Sequence, residues 1–204
     1  IEVSPCDRLR PAALIGAKEP RQRVLSDDEL FVLWRAAGRL GYPYGPLFRL
    51  LVLTGQRKAE VSEARWGEID LERRVWTVPP ERFKSNASHL VPLSGDAFDL
   101  LMSLPRFKKA EFLFSTTLGE TPVNGFSKAK VRLDREMVRS LKALARKRGE
   151  DPAAVELPPF VIHDIRRTMR TRLSALKVPE RVAEMVIGHG KKGLARVYDQ
   201  YEFA

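Results

Sequence analysis

The sequence predicts an α+β domain that is mainly α-helical and carries one small antiparallel β-sheet. Two observations predict this class. Segments with apolar residues at helical spacing fill most of the 204 residues, and the strand-like segments are confined to residues 68–93. With 44% apolar residues, the chain is long enough to bury a core of its own. We therefore expect one domain preceded by a linker.

The N-terminal part predicts a linker and three helices. Residues 1–23 contain three prolines and show no sustained period, as expected of a linker. Ser26-Asp27-Asp28-Glu29 is a capping-box pattern and predicts a helix to about Gly38. A nearly all-apolar helix is predicted over residues 46–53, and a short helix over residues 58–64.

The middle of the chain predicts the sheet. Residues 68–71 and 75–78 flank a charged turn, and residues 90–93 are expected to pair back after a polar loop. A helix is predicted over residues 95–104, before a short apolar run at residues 112–114.

The C-terminal part predicts four more helices. Helical spacing continues over residues 127–148, and a pair of prolines then precedes a long helix over residues 163–176. Pro179 suits the first turn of a helix that runs to Ile187. A last helix is predicted over residues 194–201.

Charge and composition limit the function. A net charge of +10 favours a polyanionic partner, either nucleic acid or an anionic membrane surface. No apolar run approaches the roughly 18 residues of a membrane span, and no signal peptide is visible. The single Cys6 excludes an internal disulfide and fits a reducing cytosol.

A set of polar residues with catalytic potential stands out near the C-terminus. His163 and Arg166 share one helix face, because residues three apart lie together on a helix. His189 follows Gly188, and Tyr198 lies nine residues further on. Taken singly, each has an ordinary explanation, such as a helix cap or a packing residue. Together with an earlier arginine and lysine, they would suit covalent attack on a phosphodiester.

The segments together resemble the catalytic domain of the tyrosine recombinases, also called the phage integrase family, from about residue 23 to residue 201. The segment Thr54-Gly55-Gln56-Arg57-Lys58-Ala59-Glu60 matches the family pattern Thr-Gly-x-Arg-x-x-Glu. The strand His89-Leu90-Val91-Pro92-Leu93-Ser94 matches the one that follows the family's hairpin lysine. The wording of these motifs is most similar to prophage and genomic-island integrases. The resemblance implies these catalytic residues: Arg57 with Glu60 as its acidic companion, Lys84, His163, Arg166, His189 and the nucleophile Tyr198.

The resemblance implies a site-specific DNA recombinase that integrates or excises a mobile element through a 3′-phosphotyrosyl intermediate. Two guanidiniums, Arg57 and Arg166, would bind the non-bridging phosphate oxygens, and His189 would add a donor. The Tyr198 hydroxyl, with an ordinary pKa of about 10, would lose its proton as it attacks. Lys84 would protonate the leaving 5′-oxygen, while His163 either assists proton transfer or orients the phosphate. No metal or cofactor is expected.

A second feature favours DNA as the partner. Six basic residues between positions 128 and 146 are spaced four and three apart, so they form one stripe on a helix. Either phosphate contact or a solvated outer face explains such a stripe. The stripe consists of Lys128, Arg132, Arg135, Arg139, Lys142 and Arg146. His89 is a further candidate for DNA contact.

The resemblance also implies partners and organisation. Residues 1–23 are expected to link a missing N-terminal core-binding domain to a catalytic domain over residues 24–204. The partner is double-stranded DNA at attachment sites, and the full-length protein is expected to act as a homotetramer on DNA. We expect the present chain alone to be monomeric, without membrane association, and located in the bacterial cytoplasm at the nucleoid when it acts.

Three other classes of protein remain open from the sequence. A type IB topoisomerase would use similar chemistry but reseal the same strand, so it would relax supercoils without strand exchange. A non-catalytic DNA-binding module would keep the basic face but is expected to lose catalytic residues. A metal nuclease is disfavoured because the three histidines lack ligand-like spacing with Cys6 or paired carboxylates. Tyr201, one turn beyond Tyr198, is the alternative nucleophile.

Overall fold

Seven α-helices and a three-stranded sheet make up the parts of the chain that the computed structural model describes, which are residues 21–83, 88–108 and 110–189. The predicted class, mainly α with a small antiparallel sheet, is confirmed. The helices are α1 (Asp27–Leu40), α2 (Tyr44–Thr54), α3 (Lys58–Ser62), α4 (Gly95–Met102), α5 (Phe126–Arg148), α6 (Ile162–Ala175) and α7 (Glu180–Val186). The strands are β1 (Ile69–Asp70), β2 (Val75–Val78) and β3 (His89–Pro92).

Helix α1 begins at the predicted capping box. The Ser26 hydroxyl accepts a hydrogen bond from the Glu29 amide, and the Glu29 carboxylate accepts one from the Ser26 amide at 2.7 Å. These bonds satisfy amide groups that lack a partner inside the helix. The helix runs two residues past the predicted Gly38 to Leu40. Its buried face packs against α2 and α5.

Helix α2 forms the centre of the core, as its apolar sequence predicts. Leu47, Phe48 and Leu50 are almost fully buried. The helix ends at Gly55, whose amide donates to the Leu51 carbonyl at 3.0 Å. Because this turn packs against Met169 of α6, the chain enters α3 beside α6. Arg57 therefore lies at the junction of three helices.

The sheet has the order β1-β2-β3 and is antiparallel throughout. Strand β2 has the predicted bounds, whereas β3 begins one residue early, at His89. His89 pairs with Val78, and Val91 pairs with Trp76. The inward side chains of these pairs join the core that α2 forms.

The segment before α1 is tied to α6. The Leu25 amide donates to the Thr168 hydroxyl at 2.9 Å, and Arg21 lies 3.6 Å from the Asp164 carboxylate. Residues 1–20 of the predicted linker lie outside the described residues, as does the predicted helix over residues 194–201. None of the helices in the described ranges is long and apolar enough to cross a membrane.

Candidate active site

Five of the predicted catalytic groups converge where α3, α6 and the turn after α7 meet. Arg57 precedes α3, and its guanidinium lies 3.5 Å from the Gly188 carbonyl, next to His189. Arg166 of α6 donates to the Gly55 carbonyl at 3.0 Å, in the turn before Arg57. The structure thus brings residues separated by more than 100 positions to one place. The converging groups are Arg57, Glu60, His163, Arg166 and His189.

Glu60 fixes the position of Arg57. Its carboxylate accepts from the Arg57 amide at 2.7 Å and from the Arg57 guanidinium at 2.6 Å. The Glu60 residue is only 3% exposed, so these charge-assisted bonds form away from bulk water. Arg57 therefore reaches the site in a defined orientation, with Nη2 directed to the Gly188 carbonyl.

Arg166 is a buried cation with spare hydrogen-bonding capacity. The residue is 4% exposed, and among the described atoms Nη2 has no hydrogen-bond partner. Burial, reinforced by the nearby charge of Arg57, lowers the pKa of Arg166 to about 10 against the opposing charges of Glu60 and Glu184. Arg166 still carries its charge at neutral pH. The region around these two guanidiniums, here called the pocket, has the positive charge and the spare donor that an anion would bind.

His163 lies on the exposed edge of this pocket, in the first turn of α6. Partial burial lowers its pKa, and the charges of Arg166 and Arg167 lower it further, which outweighs the effect of Asp164. Because the ordinary value is 6.5, the ring is neutral at pH 7 and has a nitrogen lone pair available as a proton acceptor.

His89 is placed differently from the prediction that it contacts DNA. The residue is 9% exposed, and its ring stacks on Phe83 with 4.8 Å between ring centroids. Gly188 lies directly against this pair, so that a Cβ there would be 2.8 Å from Phe83 and 2.9 Å from the His89 Nε2. The ring therefore packs inside the fold, and its contact with DNA stays a prediction. His89 packs against Phe83 and Gly188, next to His189 in the chain.

Phe83 connects the sheet to the pocket. The Arg57 guanidinium lies 5.4 Å from the centre of the Phe83 ring, within the range of a cation–π contact. Lys84 follows Phe83 directly but lies outside the described residues, and so do Tyr198 and Tyr201. The position of Phe83 nevertheless brings the chain to the pocket immediately before Lys84.

The burial of His89 makes the stability of the fold sensitive to pH. Burial lowers the His89 pKa to about 4, and the charges of Arg166 and Arg57 act in the same direction against Glu60 and a Val186 backbone hydrogen bond. Between pH 6.5 and 4 the unfolded chain binds a proton that the folded chain rejects. The free energy of unfolding therefore falls as the pH decreases through this window, by roughly 2–3 kcal/mol from this group.

Urea denaturation at pH 7.0, 5.5 and 4.5 measures this effect. His89→Gln is expected to remove this component of the pH dependence, while the other titrating groups contribute equally to both proteins. An unchanged pH dependence in His89→Gln would show that His89 titrates normally in the folded state.

Three polar residues at the site were not found from the sequence. The Gln56 amide donates to the Val186 carbonyl at 2.8 Å and so joins the α2–α3 turn to α7. Glu184 of α7 contacts both His189 and Arg170. No local pattern marks the contact of Gln56, because Gln56 and Val186 are 130 positions apart.

The basic stripe lies on the outer face of α5. Ala129, Leu133 and Met137 of this helix are buried on the opposite side. Five of the six stripe residues are exposed, Lys142 is half-buried, and Arg139 lies 3.8 Å from Glu136. The predicted common face of the stripe is confirmed, while its contact with DNA stays a prediction. In the described part of the chain, no three His, Cys, Asp or Glu residues are grouped so as to hold a metal ion.

Known proteins share both the sequence pattern and the fold. Prophage integrase IntA of Escherichia coli K12 is 29% identical over 160 residues, covering 77% of this chain and 34% of IntA. Prophage integrase IntZ of the same organism is 32% identical over 155 residues, covering 74% of this chain and 34% of IntZ. The chain thus spans about a third of the length of these curated relatives.

Solved structures agree on the fold. The lambda integrase catalytic core aligns with a TM-score of 0.56 and 21% identity, over 85% of this chain and 94% of that core. XerA recombinase aligns with a TM-score of 0.60 and 18% identity, over 94% of this chain and 64% of XerA. The model of the phage integrase family matches residues 23–204. Because this match covers nearly the whole chain, the chain belongs to the phage integrase family.

Proposed function

We propose that this chain is the catalytic domain of a site-specific DNA recombinase, which cleaves and rejoins DNA strands to integrate or excise a mobile element. The observation that carries the proposal is the pair of guanidiniums at the pocket, with the unused Nη2 donor of the buried Arg166. A phosphodiester in the transition state of phosphoryl transfer gathers negative charge on its non-bridging oxygens. Fixed cations stabilise that charge without reorganising.

Each residue has its own role in the proposed reaction. Arg57 and Arg166 bind the non-bridging oxygens, and His189 adds a third donor. The Tyr198 oxygen attacks phosphorus and forms the 3′-phosphotyrosyl bond as the bond to the 5′-oxygen breaks. Lys84 gives a proton to that oxygen, and the neutral His163 accepts the tyrosine proton. Attack by a 5′-hydroxyl on the phosphotyrosine reverses these steps and rejoins the DNA.

Substrate and assembly follow from the same proposal. Double-stranded DNA at attachment sites is the substrate, and one structural neighbour is a lambda integrase tetramer bound to a Holliday junction. The full-length protein acts as a homotetramer on DNA, while this chain alone is monomeric. Residues 1–23 link an N-terminal core-binding domain to the catalytic domain over residues 24–204. The protein works in the bacterial cytoplasm, at the nucleoid.

Trapping of a covalent protein–DNA adduct tests the proposal. The probe is a pool of double-stranded oligonucleotides, randomised at the core site and nicked beside it, so that a short 5′-hydroxyl fragment diffuses away after cleavage. Wild type is expected to form an adduct in the presence of EDTA, and sequencing of the trapped DNA identifies the site. Tyr198→Phe is expected to form none, whereas Tyr201→Phe retains it.

The alternatives give different results in the same assay. Adduct formation by Tyr198→Phe but not by Tyr201→Phe would move the nucleophile to Tyr201. Cleavage without a covalent adduct, lost in EDTA, would indicate a metal nuclease. Binding without any cleavage would indicate a non-catalytic DNA-binding module. A type IB topoisomerase would form the adduct and relax supercoils but would not exchange strands between two sites.

The basic stripe predicts a salt dependence of DNA binding. Changing Arg132 and Arg135 together to Gln is expected to weaken binding and to reduce the slope of log K against log salt concentration by about 2, because each phosphate contact releases close to one counterion. The measurement is a fluorescence anisotropy titration at several salt concentrations. As a matched control, the exposed Arg73 and Lys108 are changed to Gln. Equal slopes for the two variants would contradict contact between the stripe and DNA.

A further inference from the structure

Glu184 lies between a cation and one of the catalytic histidines. Its Oε2 is 2.5 Å from Nδ1 of His189, and its Oε1 accepts from Arg170 Nε at 2.7 Å. Arg170 is itself held by the Ser174 hydroxyl on α6. A line of polar contacts thus runs from α6 through α7 to the pocket.

We propose that Glu184 is a positioning residue for His189, which accepts a hydrogen bond from Nδ1 and so directs Nε2 to the substrate phosphate. This inference rests on the proposed function, because His189 acts as a phosphate ligand only in that reaction. Glu184 does not touch the phosphate in this scheme and acts only through the ring.

Packing alone does not hold the His189 ring. Its side chain is 42% exposed, so few neighbours restrict its rotation. The backbone of the residue is fixed, because its amide donates to the Glu184 carbonyl at 2.8 Å. The carboxylate of the same Glu184 then restricts rotation of the His189 side chain through its contact with Nδ1. One residue therefore holds both the main chain and the ring of His189.

The charge of Glu184 also suits a positioning role. Burial raises the pKa of Glu184, but hydrogen bonds from Arg170 and His189 lower it more, so the side chain is an anion at neutral pH. A ring that donates from Nδ1 to Glu184 and from Nε2 to a phosphate oxygen carries a proton on each nitrogen. The Glu184 carboxylate balances the charge of that form. Orientation of a histidine by a carboxylate on its other nitrogen is a general device of catalytic sites.

A purely structural role is the alternative to be separated by experiment. Glu184 also joins α7 to α6 through Arg170, and in a purely structural role the loss of that bridge alone would disturb the pocket. Arg170→Gln removes the charge of the bridge but leaves Glu184 beside His189. It is therefore the matched control for Glu184→Ala.

The direct measurement is the tautomer of His189, read from its nitrogen chemical shifts in the histidine-labelled chain. The chain has three histidines, and His189→Asn identifies the signals of His189. At a pH where the ring is neutral, wild type is expected to carry the proton on Nδ1. Glu184→Ala is expected to shift the proton toward Nε2, the form that an unrestrained histidine favours. Glu184→Gln, which keeps an acceptor oxygen, retains part of the Nδ1–H form, and Arg170→Gln stays close to wild type.

Single-turnover cleavage of the nicked probe at saturating DNA provides the second measurement. Glu184→Ala is expected to lower the rate constant on the order of 10–100-fold with unchanged DNA affinity, and Glu184→Gln less. An unchanged tautomer in Glu184→Ala, or an equal loss of rate in Arg170→Gln, would overturn the positioning role. If wild type forms no adduct while the tautomer shifts as expected, the proposed function fails but the contact between Glu184 and His189 stands.

Discussion

Arg166→Met is expected to lower single-turnover DNA cleavage by at least about 10²–10³-fold while changing the free energy of unfolding by no more than about 1 kcal/mol. The loss of activity follows from removal of a fixed cation that faces the developing charge of the phosphate. The stability is preserved for a separate reason. Arg166 is buried beside Arg57 with one nitrogen unpartnered among the described residues, so the folded state gains little from this charge.

Methionine has a comparable length and no charge, and it fills the space that the arginine side chain occupies. The change leaves the Gly55 carbonyl without its 3.0 Å donor, which offsets part of the gain from removing the charge. Urea denaturation measures the balance. Sulfate supplies a further test, because a tetrahedral anion in the pocket is expected to raise the melting temperature of wild type and to have little effect on Arg166→Met.

Arg167→Met is the matched control, since Arg167 is the next residue on α6 and pairs with Asp164. It is expected to keep the stabilisation by sulfate, because its guanidinium is bound to a carboxylate rather than left unused. Two outcomes would show that Arg166 is not the anion ligand. One is cleavage by Arg166→Met at the rate of wild type, and the other is an equal loss of sulfate stabilisation in both variants.

Features that depend on neighbouring residues were predictable from the sequence. The capping box at Ser26 and Glu29 and the bounds of β2 were predicted closely, because each follows from a pattern within a few residues. Arg57, Glu60 and Arg166 were predicted by resemblance to family motifs, and the structure brings them together at one pocket. The residue types indicate what these groups can do once assembled, but they carry no information on how distant segments come together.

The supporting contacts could not be predicted in the same way. Glu184 and Arg170 meet because α6 and α7 pack together, and their spacing in sequence carries no signal of that packing. His89 is a different case, because a signal existed. It alternates with the buried Val91 and Leu93, so the two-residue period of a strand predicts an inward ring. The prediction that His89 contacts DNA rests on its residue type and does not follow from that period.

Gly188→Ala is expected to reduce the free energy of unfolding by about 3 kcal/mol or more and to reduce cleavage strongly. Gly188 has a φ of +67°, a left-handed conformation that costs a residue with a Cβ roughly 1–2 kcal/mol. The added methyl group would also lie 2.8 Å from Phe83 and 2.9 Å from His89, closer than a Cβ contact allows. Both rings are tightly packed, so they cannot move far enough to accommodate the added methyl group.

Gly188→Ala is expected to reduce cleavage because Gly188 lies next to several groups of the site. Its carbonyl lies 3.5 Å from Arg57, the Phe83 ring faces the same guanidinium, and His189 is the next residue. Displacement of this turn therefore moves Phe83 together with Arg57 and His189, the two groups proposed to bind the phosphate. Gly149→Ala provides the control, since Gly149 has a φ of +75° but nothing within 4 Å of an added Cβ.

Denaturation of the two variants separates conformational strain from contact. Gly149→Ala is expected to lose only the 1–2 kcal/mol of the left-handed backbone and to cleave DNA normally. The additional loss of stability in Gly188→Ala then measures the clash with Phe83 and His89. The double variant Gly188→Ala with His89→Ser is expected to recover part of that stability. Equal losses of stability in the two glycine variants, with cleavage retained in both, would mean that the close approach of Gly188 to these rings does not support the pocket.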